Sequence, residues 1–467
     1  MIRQKRSVCV LVFAALLVGP SATLFALDWG GSVSGSATVR SVADGSDENA
    51  FTSTDRLEFF LNTPLGAQWT LEAQAAARLD LNPLLFAADV ERLYLQRLRR
   101  PNQGTMSEFV TRWGRQRITD PGGLIVRQVV DGASFILRYP QLELAMAAGY
   151  TGFVNKEFTS AGMSLRDSND AADSSVYFGP ARLIGQARAQ LRNLYAGQNV
   201  TVAFTFQDDL RDPQSVVQPG QTRTEVIDDQ NLDFGGLLDT QYLQLILDGP
   251  IPKGDLPGSL FYQAAYVLNL GSTLSLVDDD AAQGGQSYQY KPILAHLAKA
   301  EVQYFLPSFL GTAAGLGVTF SSGDRTASGY TEGNTSTTAT MFTPISAGGS
   351  GAVFGLDSGN ATILELFYSI RPLQSHASTF LNTLQVQTSW YSFFRSAGEG
   401  PVSSPDIDTE TSAAYLGSEL DVAVRMRPFS DFGFGISGGM FFGNSDALVD
   451  GADTVDFLVR LDASLSF

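Results

Sequence analysis

The sequence predicts an all-β protein: a transmembrane antiparallel β-barrel of the bacterial outer membrane, with about 18 strands. Three observations carry that expectation. Segments of 10–14 residues alternate apolar and polar side chains from Gly31 to Phe467, and a period of two marks a strand with two different environments. Their connections are mostly short on one side and long on the other, the topology of an outer-membrane barrel. The composition also suits strands and turns, with 46 Gly, 31 Phe and 15 Tyr against 5 Lys in 467 residues.

Residues 1–26 read as a cleaved leader, and residues 27–467 as the barrel. Arg3, Lys5 and Arg6 carry the positive charge and residues 8–19 form an apolar run. Pro20 breaks it, and Leu24-Phe25-Ala26 offers a cleavage site before Leu27. The alternative is a short membrane anchor.

Strands are expected at 29–42, 54–64, 67–79, 88–99, 106–117, 129–138, 141–151, 181–193 and 198–209. The second half continues at 237–248, 259–271, 292–305, 312–322, 361–371, 382–395, 413–427, 431–442 and 455–467. The last is the clearest: Val455, Phe457, Val459, Leu461, Ala463, Leu465 and Phe467 share one face, and Leu458 is the exception on the polar one. Long loops are expected at 43–53, 80–87, 118–128, 152–180, 210–236, 272–291, 323–360, 396–412 and 443–454. An even strand count puts both termini on the short-turn, periplasmic side.

A soluble sandwich would bury its apolar face between two sheets. Here the polar face is rich in small and hydrogen-bonding residues, as a water-filled lumen allows. Only closure removes unpaired backbone groups from hydrocarbon. A soluble β-solenoid is the alternative, but no fixed-period repeat supports it.

The formal charge of −17 becomes about −20 without the leader, which argues against a nucleic-acid partner. Cys9 is the only cysteine and lies in the leader, so disulfide, thiol and Cys-metal chemistry are excluded from the barrel. No cofactor is expected.

Taking the polar parity as inward, the pore-lining candidates are Arg78, Arg92, Arg112, Arg115, Arg138, Arg182, Arg188 and Arg192, with Arg56 beside them. A bulge would flip parity, so Arg115 and Arg117 stay ambiguous. Acidic candidates are Glu58, Glu72, Glu301, Glu365, Glu419, Asp421, Asp456 and Asp462, and the late strands add the basic Lys299, Arg425 and Arg460. The lumen is thus basic on strands 2–8 and mixed to acidic on strands 12–18. Such opposed charge orients polar solutes, and the planar Arg fork suits carboxylate and phosphate. The alternative is that these charges pair along the wall.

Loop 323–360, rich in Gly, Ser and Thr, is expected at the extracellular surface; folding inward to constrict the lumen is the alternative. Acid runs at Asp208-Asp209, Asp228-Asp229 and Asp278-Asp279-Asp280 are expected as solvated loop tips, with surface Ca²⁺ as the alternative. His296 has outward parity and no telling Ser partner, so a lipid-cleaving Ser-His pair is not expected. His376 falls in a periplasmic turn.

Two stretches resemble a known family. Trp113-Gly114-Arg115-Gln116-Arg117 followed by Val130-Asp131-Gly132-Ala133 is similar to the "GRQ … DGA" region of the alginate-export porins. Leu416 to Asp421, with Arg427-Pro428 and Gly439-Met440-Phe441-Phe442-Gly443, resembles that family's penultimate strand pair. The resemblance implies an 18-stranded barrel, passive passage of solutes, and Arg112 and Arg115 in the pore wall. The terminal Phe467 resembles the signal read by the barrel-assembly machinery. The expected partners are therefore outer-membrane lipid, that machinery, and small polar or anionic solutes. The acidic late strands depart from an anionic-polymer conduit. The other class of function is a non-conducting barrel whose surface loops act in adhesion or binding.

Overall fold

The computed structural model describes residues 27–41, 50–211, 238–278 and 286–467, apart from 332, 335, 336, 347 and 379. The leader residues 1–26 and the acid run at Asp228-Asp229 lie outside them.

Eighteen antiparallel strands form one closed sheet. The first half is β1 (Asp28–Arg40), β2 (Ala50–Pro64), β3 (Trp69–Leu81), β4 (Leu85–Arg99), β5 (Glu108–Thr119), β6 (Arg127–Arg138), β7 (Leu142–Tyr150), β8 (Arg182–Leu191) and β9 (Asn199–Asp209). The second half is β10 (Leu238–Pro250), β11 (Ser259–Asp278), β12 (Gln286–Leu306), β13 (Thr312–Ser321), β14 (Ala361–Ile370), β15 (Gln385–Arg395), β16 (Tyr415–Met426), β17 (Phe432–Gly443) and β18 (Val455–Ser466). Each pairs with its sequence neighbour, and β18 closes on β1 from Ser32↔Ser466 to Arg40↔Leu458. Closure leaves no strand edge facing lipid.

The alternation works as the sequence predicts. On β10, Thr240, Tyr242, Gln244 and Ile246 are buried on the inner face, while Leu243, Leu245 and Leu247 are exposed. An exposed apolar band around a closed sheet matches lipid contact.

Two connections differ from expectation in being largely strand or much shortened. Residues 272–291 are mostly strand: β11 and β12 run 20 and 21 residues and pair out to Asp278↔Gln286. Among the described residues only β11 pairs with β12 beyond Pro292, and there the two form a ribbon taller than the neighbouring described strands. Residues 80–87 shrink to a three-residue turn between Leu81 and Leu85.

Two bulges re-aim side chains. Opposite Gln74 and Ala75 the partners are Arg92 and Val90, so Glu91 is the extra residue. Opposite Phe393 and Phe394 they are Gly417 and Tyr415, so Leu416 is extra, and it is fully buried.

Candidate functional site

The site is the lumen and the loops that fold into it. The segment 322–360 is not a surface loop. It turns inward, because its apolar residues find a dry wall there. Phe342 and Ile345 are fully buried against Tyr242, Val267, Ile293 and Leu297 of the inner face. The Tyr242 hydroxyl donates to the Thr343 carbonyl (2.6 Å), and the Ile345 N–H donates to Ile125 O (2.8 Å) in the loop joining β5 and β6. Seven residues further on, the same segment is held by β16. The Val353 and Phe354 N–H groups donate to the two oxygens of Glu419 (2.8 and 2.9 Å), and Ala352 N–H donates to Asp421 (3.1 Å). Phe354 stacks flat on Phe441 at 4.3 Å. The segment therefore bridges the lumen from β6 to β16.

Inward apolar residues mark where it lands. Leu458, the exception in the last strand's alternation, packs with Val353, Leu356, Phe393, Leu416, Ile407 and Leu448 in a second core cluster.

The connection 151–181 also enters. Arg78 bonds Glu157 (3.0 Å) and Asp80 (2.8 Å). Helix α1 (Leu165–Ala172) begins with a Ser164–Asp167 capping box. Asp167 pairs with Arg182 (2.8 Å) and Arg211 (2.7 Å), and Arg182 also reaches Asp209 (3.2 Å). Burial alone would raise the Asp167 carboxyl, but the two guanidinium groups and the Met163 N–H hold it below the usual carboxylate range. The same acids push Arg211 up against its burial. Asp208-Asp209 is thus no free loop tip. In the lumen-crossing segment, burial pushes Asp357 up despite the Gly348 N–H that bonds it (3.0 Å). The loop joining β5 and β6 is tied by Asp120, which accepts from Ile125 N–H and Val126 N–H (both 2.9 Å) and from Gln244 (2.9 Å).

Against this frame the sequence candidates separate. Arg182 points inward but is fully buried behind α1, so it does not face open lumen. Arg115 is enclosed by Asp89 (2.7 Å), Asp131 (2.8 Å) and the Phe153 carbonyl (2.8 Å). It fastens the 151–181 connection and does not line the pore. Glu419 and Asp421 are covered by the crossing segment; their charge is spent on its N–H groups. Arg138, Arg188 and Arg192 converge on one carboxylate, Glu143, at 3.0, 2.6 and 2.5 Å.

Beside the docked 151–181 connection, several arginines of β2–β5 keep exposed surface. Arg92 is exposed, without an ion-pair partner among the described residues. Arg112 lies over the Tyr94 ring (5.5 Å) and donates to Gln96 (2.8 Å), neither of which neutralises it. Arg117 is a third exposed and has Glu91 only at 3.8 Å. Arg56 is held by Glu58 and Glu91, both at 2.7 Å. Towards the short-turn mouth this wall opens into a cavity of about 910 Å³, lined by Arg371, Arg425, Arg427, Asp462, Ser34 and Ser464 among others. On the far side of the crossing segment a smaller recess of about 200 Å³ holds Lys299 and Glu365; Lys299 pairs with Glu301 (3.2 Å).

Parity reading missed Asp89, Glu91, Asp120, Glu143 and Asp167. Asp120 carries a signal in sequence, since Asp120-Pro121-Gly122-Gly123 is turn chemistry. The others are partners that only the fold brings together. The acids at Asp278–Asp280 fall at or beyond the edge of the described residues. His296 faces outward between Tyr266 (6.4 Å) and Phe320 (5.8 Å), as its parity suggests. His376 sits in the connection between β14 and β15 and accepts from Ser378 N–H (3.0 Å). Phe467 exchanges backbone bonds with Gly31 at the seam (2.9 and 3.0 Å).

No family model matches the chain, and no curated protein matches it. Solved structures share its fold. OccK8 (OprE) of Pseudomonas aeruginosa aligns with a TM-score of 0.58 at 9% identity, covering 95% of this chain and 98% of that one. OccK11 (OpdR) of the same organism aligns at 0.54 and 13% identity over 94% and 96%. The outer membrane protein opdK from P. aeruginosa aligns at 0.51 and 12% identity over 94% and 99%. The fold is that of the outer-membrane porins. The short motifs likened above to alginate-export porins gain no support from these comparisons.

Proposed function

We propose that this chain is a passive channel of the bacterial outer membrane for small polar solutes, with a preference for anions. The observation that carries this reading is the set of inward arginines on β4 and β5, Arg92, Arg112 and Arg117, which lack close acid partners among the described residues. Cations held beside a narrowed, low-dielectric passage concentrate counter-ions there. Arg geometry extends the preference to carboxylate and phosphate groups. Passage needs no chemistry on the solute, and the proposal includes no enzymatic step.

A leader at residues 1–26, recognition of Phe467 by the assembly machinery, and an alginate-like anionic polymer as solute belong to this proposal as finer expectations. The polymer is the weakest of them in physical terms. A segment bridging the lumen leaves less room for a chain than for a small solute.

The test is single-channel recording of the refolded protein under a salt gradient. Anion-selective conductance is expected, with the reversal potential moving toward zero in the triple variant Arg92→Gln, Arg112→Gln, Arg117→Gln. Neutralising Arg182 would be the wrong probe, because it is buried. An unchanged reversal potential in the triple variant rejects the anion preference. Absence of conductance rejects the channel and moves attention to the non-conducting, loop-acting alternative.

A further inference from the structure

The outer wall carries a feature that transport does not use. Trp69 is the first residue of β3 and Arg99 the last of β4, so both sit at the short-turn rim. Register places Trp69, Arg97, Thr111 and Phe135 in one row across β3 to β6. Thr111 is the small residue of that row. Around it Trp69, Arg97, Arg99, Phe109, Trp113 and Phe135 enclose a groove of about 400 Å³. Trp113 is half exposed, on the face shared with Leu95 and Leu93, which is the lipid-facing one. It meets Phe135 edge-on at 5.2 Å, and its indole N–H donates to the Thr111 hydroxyl (3.3 Å).

The two arginines are the anomaly. On a lipid-facing wall a guanidinium is costly at the bilayer midplane and tolerated only near the interface. Arg97 lies over Trp69 (5.4 Å) and donates to Gln68 (3.2 Å). Neither Arg97 nor Arg99 has a carboxylate partner among the described residues. The neighbouring acid, Glu108, is already held by Arg100 (3.0 Å) and Arg138 (2.7 Å). Two uncompensated cations therefore stand at the head of an apolar groove whose aromatic sides run up the wall toward the hydrocarbon.

We infer that this groove is a binding site for an anionic glycerophospholipid of the periplasmic leaflet. The phosphate is held between Arg97 and Arg99, and an acyl chain lies against Trp113 and Phe135. The charge complementarity selects the occupant: a purely apolar partner would leave both guanidinium groups unmet, and a free anion would leave the rings without an apolar contact. The site is independent of the lumen, so its failure and the failure of the channel reading are distinguishable.

The test uses tryptophan fluorescence of the reconstituted full chain, because Trp69 and Trp113 flank the groove. The probe is phosphatidylglycerol with brominated acyl chains, a minor component of phosphatidylcholine vesicles; brominated phosphatidylcholine in the same proportion is the control. Phosphatidylglycerol is expected to quench more strongly than its proportion explains. The Arg97→Gln, Arg99→Gln variant should lose that excess, at about fivefold in apparent affinity per arginine. Arg97→Lys, Arg99→Lys should keep part of it. Unchanged conductance and gel mobility in the variants show that the barrel has formed.

Equal quenching by the two lipids would overturn the proposal, since ordinary annular lipid does that. So would an excess that survives the Gln variant, or one that inorganic phosphate alone removes. A Phe109→Cys variant, at a partly exposed position lining the groove, adds an independent measurement, as Cys9 is the only native cysteine. Disulfide-linked dimers forming in the membrane would assign the groove to a second copy and overturn the lipid. Protection of that thiol from a soluble maleimide by phosphatidylglycerol, and not by phosphatidylcholine, would support it.

Discussion

At the scale of single residues, carboxylates decide which loops stay in the lumen. Asp167 is almost wholly buried between Arg182 and Arg211, so Asp167→Asn leaves buried charge uncompensated. Removing one partner of a buried pair costs about 3–5 kcal/mol; the lower end is expected here because Asp209 still serves both arginines. Hydrogen exchange of residues 163–172 reads the loss. Acid should separate the two loops. Asp167 is held low, so its contribution is present above the ordinary Asp pKa and fades as pH falls through its lowered value. Asp357 is pushed up, so the crossing segment gains stability as pH falls through that raised value. Exchange at Val353–Leu356 should therefore slow on mild acidification, while exchange at α1 accelerates only at lower pH. Gly114 makes a separate case. Its φ of +124° and a Cβ position 2.2 Å from Leu93 O leave no space for a side chain, so Gly114→Ala should cut the yield of heat-modifiable, folded barrel on refolding. The sequence placed Gly114 in a motif, but only the register of β4 against β5 explains it.

At the scale of elements, the strands were legible and the loops were not. Period-two alternation is imposed locally by the two faces of a pleated wall, so β3, β9 and β18 could be placed to within a residue or two. The fate of 322–360 depends on distant partners: Tyr242, Ile125 and Glu419 lie far away in sequence. A trace was nevertheless visible. Leu458 breaks the polar parity at a position where the segment docks. Apolar residues on a lumen face are thus a sign of something packed there. Phe354→Ala removes the ring stacked on Phe441 and should release that end of the crossing segment at a cost of about 2 kcal/mol, below the range for a fully buried aromatic because Phe354 is only partly buried. Glu419→Ala should do the same by orphaning the Val353 and Phe354 N–H groups. Both variants are expected to raise mean conductance and its fluctuation. A quiet, unchanged current in both would mean that the segment is held by its other anchor, around Phe342 and Ile345.

For the whole molecule, parity foresaw a basic early wall and a mixed late one, but not how much of that charge cancels. Glu143 absorbs three arginines, and the Arg182 group is sealed away. Among the described residues the residual positive field includes Arg92, Arg112 and Arg117 on one wall, Arg460 on the last strand, and Arg371, Arg425 and Arg427 at the short-turn mouth. The opposite end carries Glu399, Asp408, Glu410, Asp446 and Asp450 in its long connections. Charge therefore differs along the barrel axis as well as across it. A conduit with a cation-lined vestibule at one end and acids at the other behaves as a leaky diode. Anions pile up ahead of the constriction under one voltage polarity and are depleted under the other. Current–voltage curves in dilute salt should bend, with a rectification ratio that reverses when the barrel inserts in the opposite orientation. In about 1 M salt the screening length shrinks to roughly 3 Å, and the same curves should straighten.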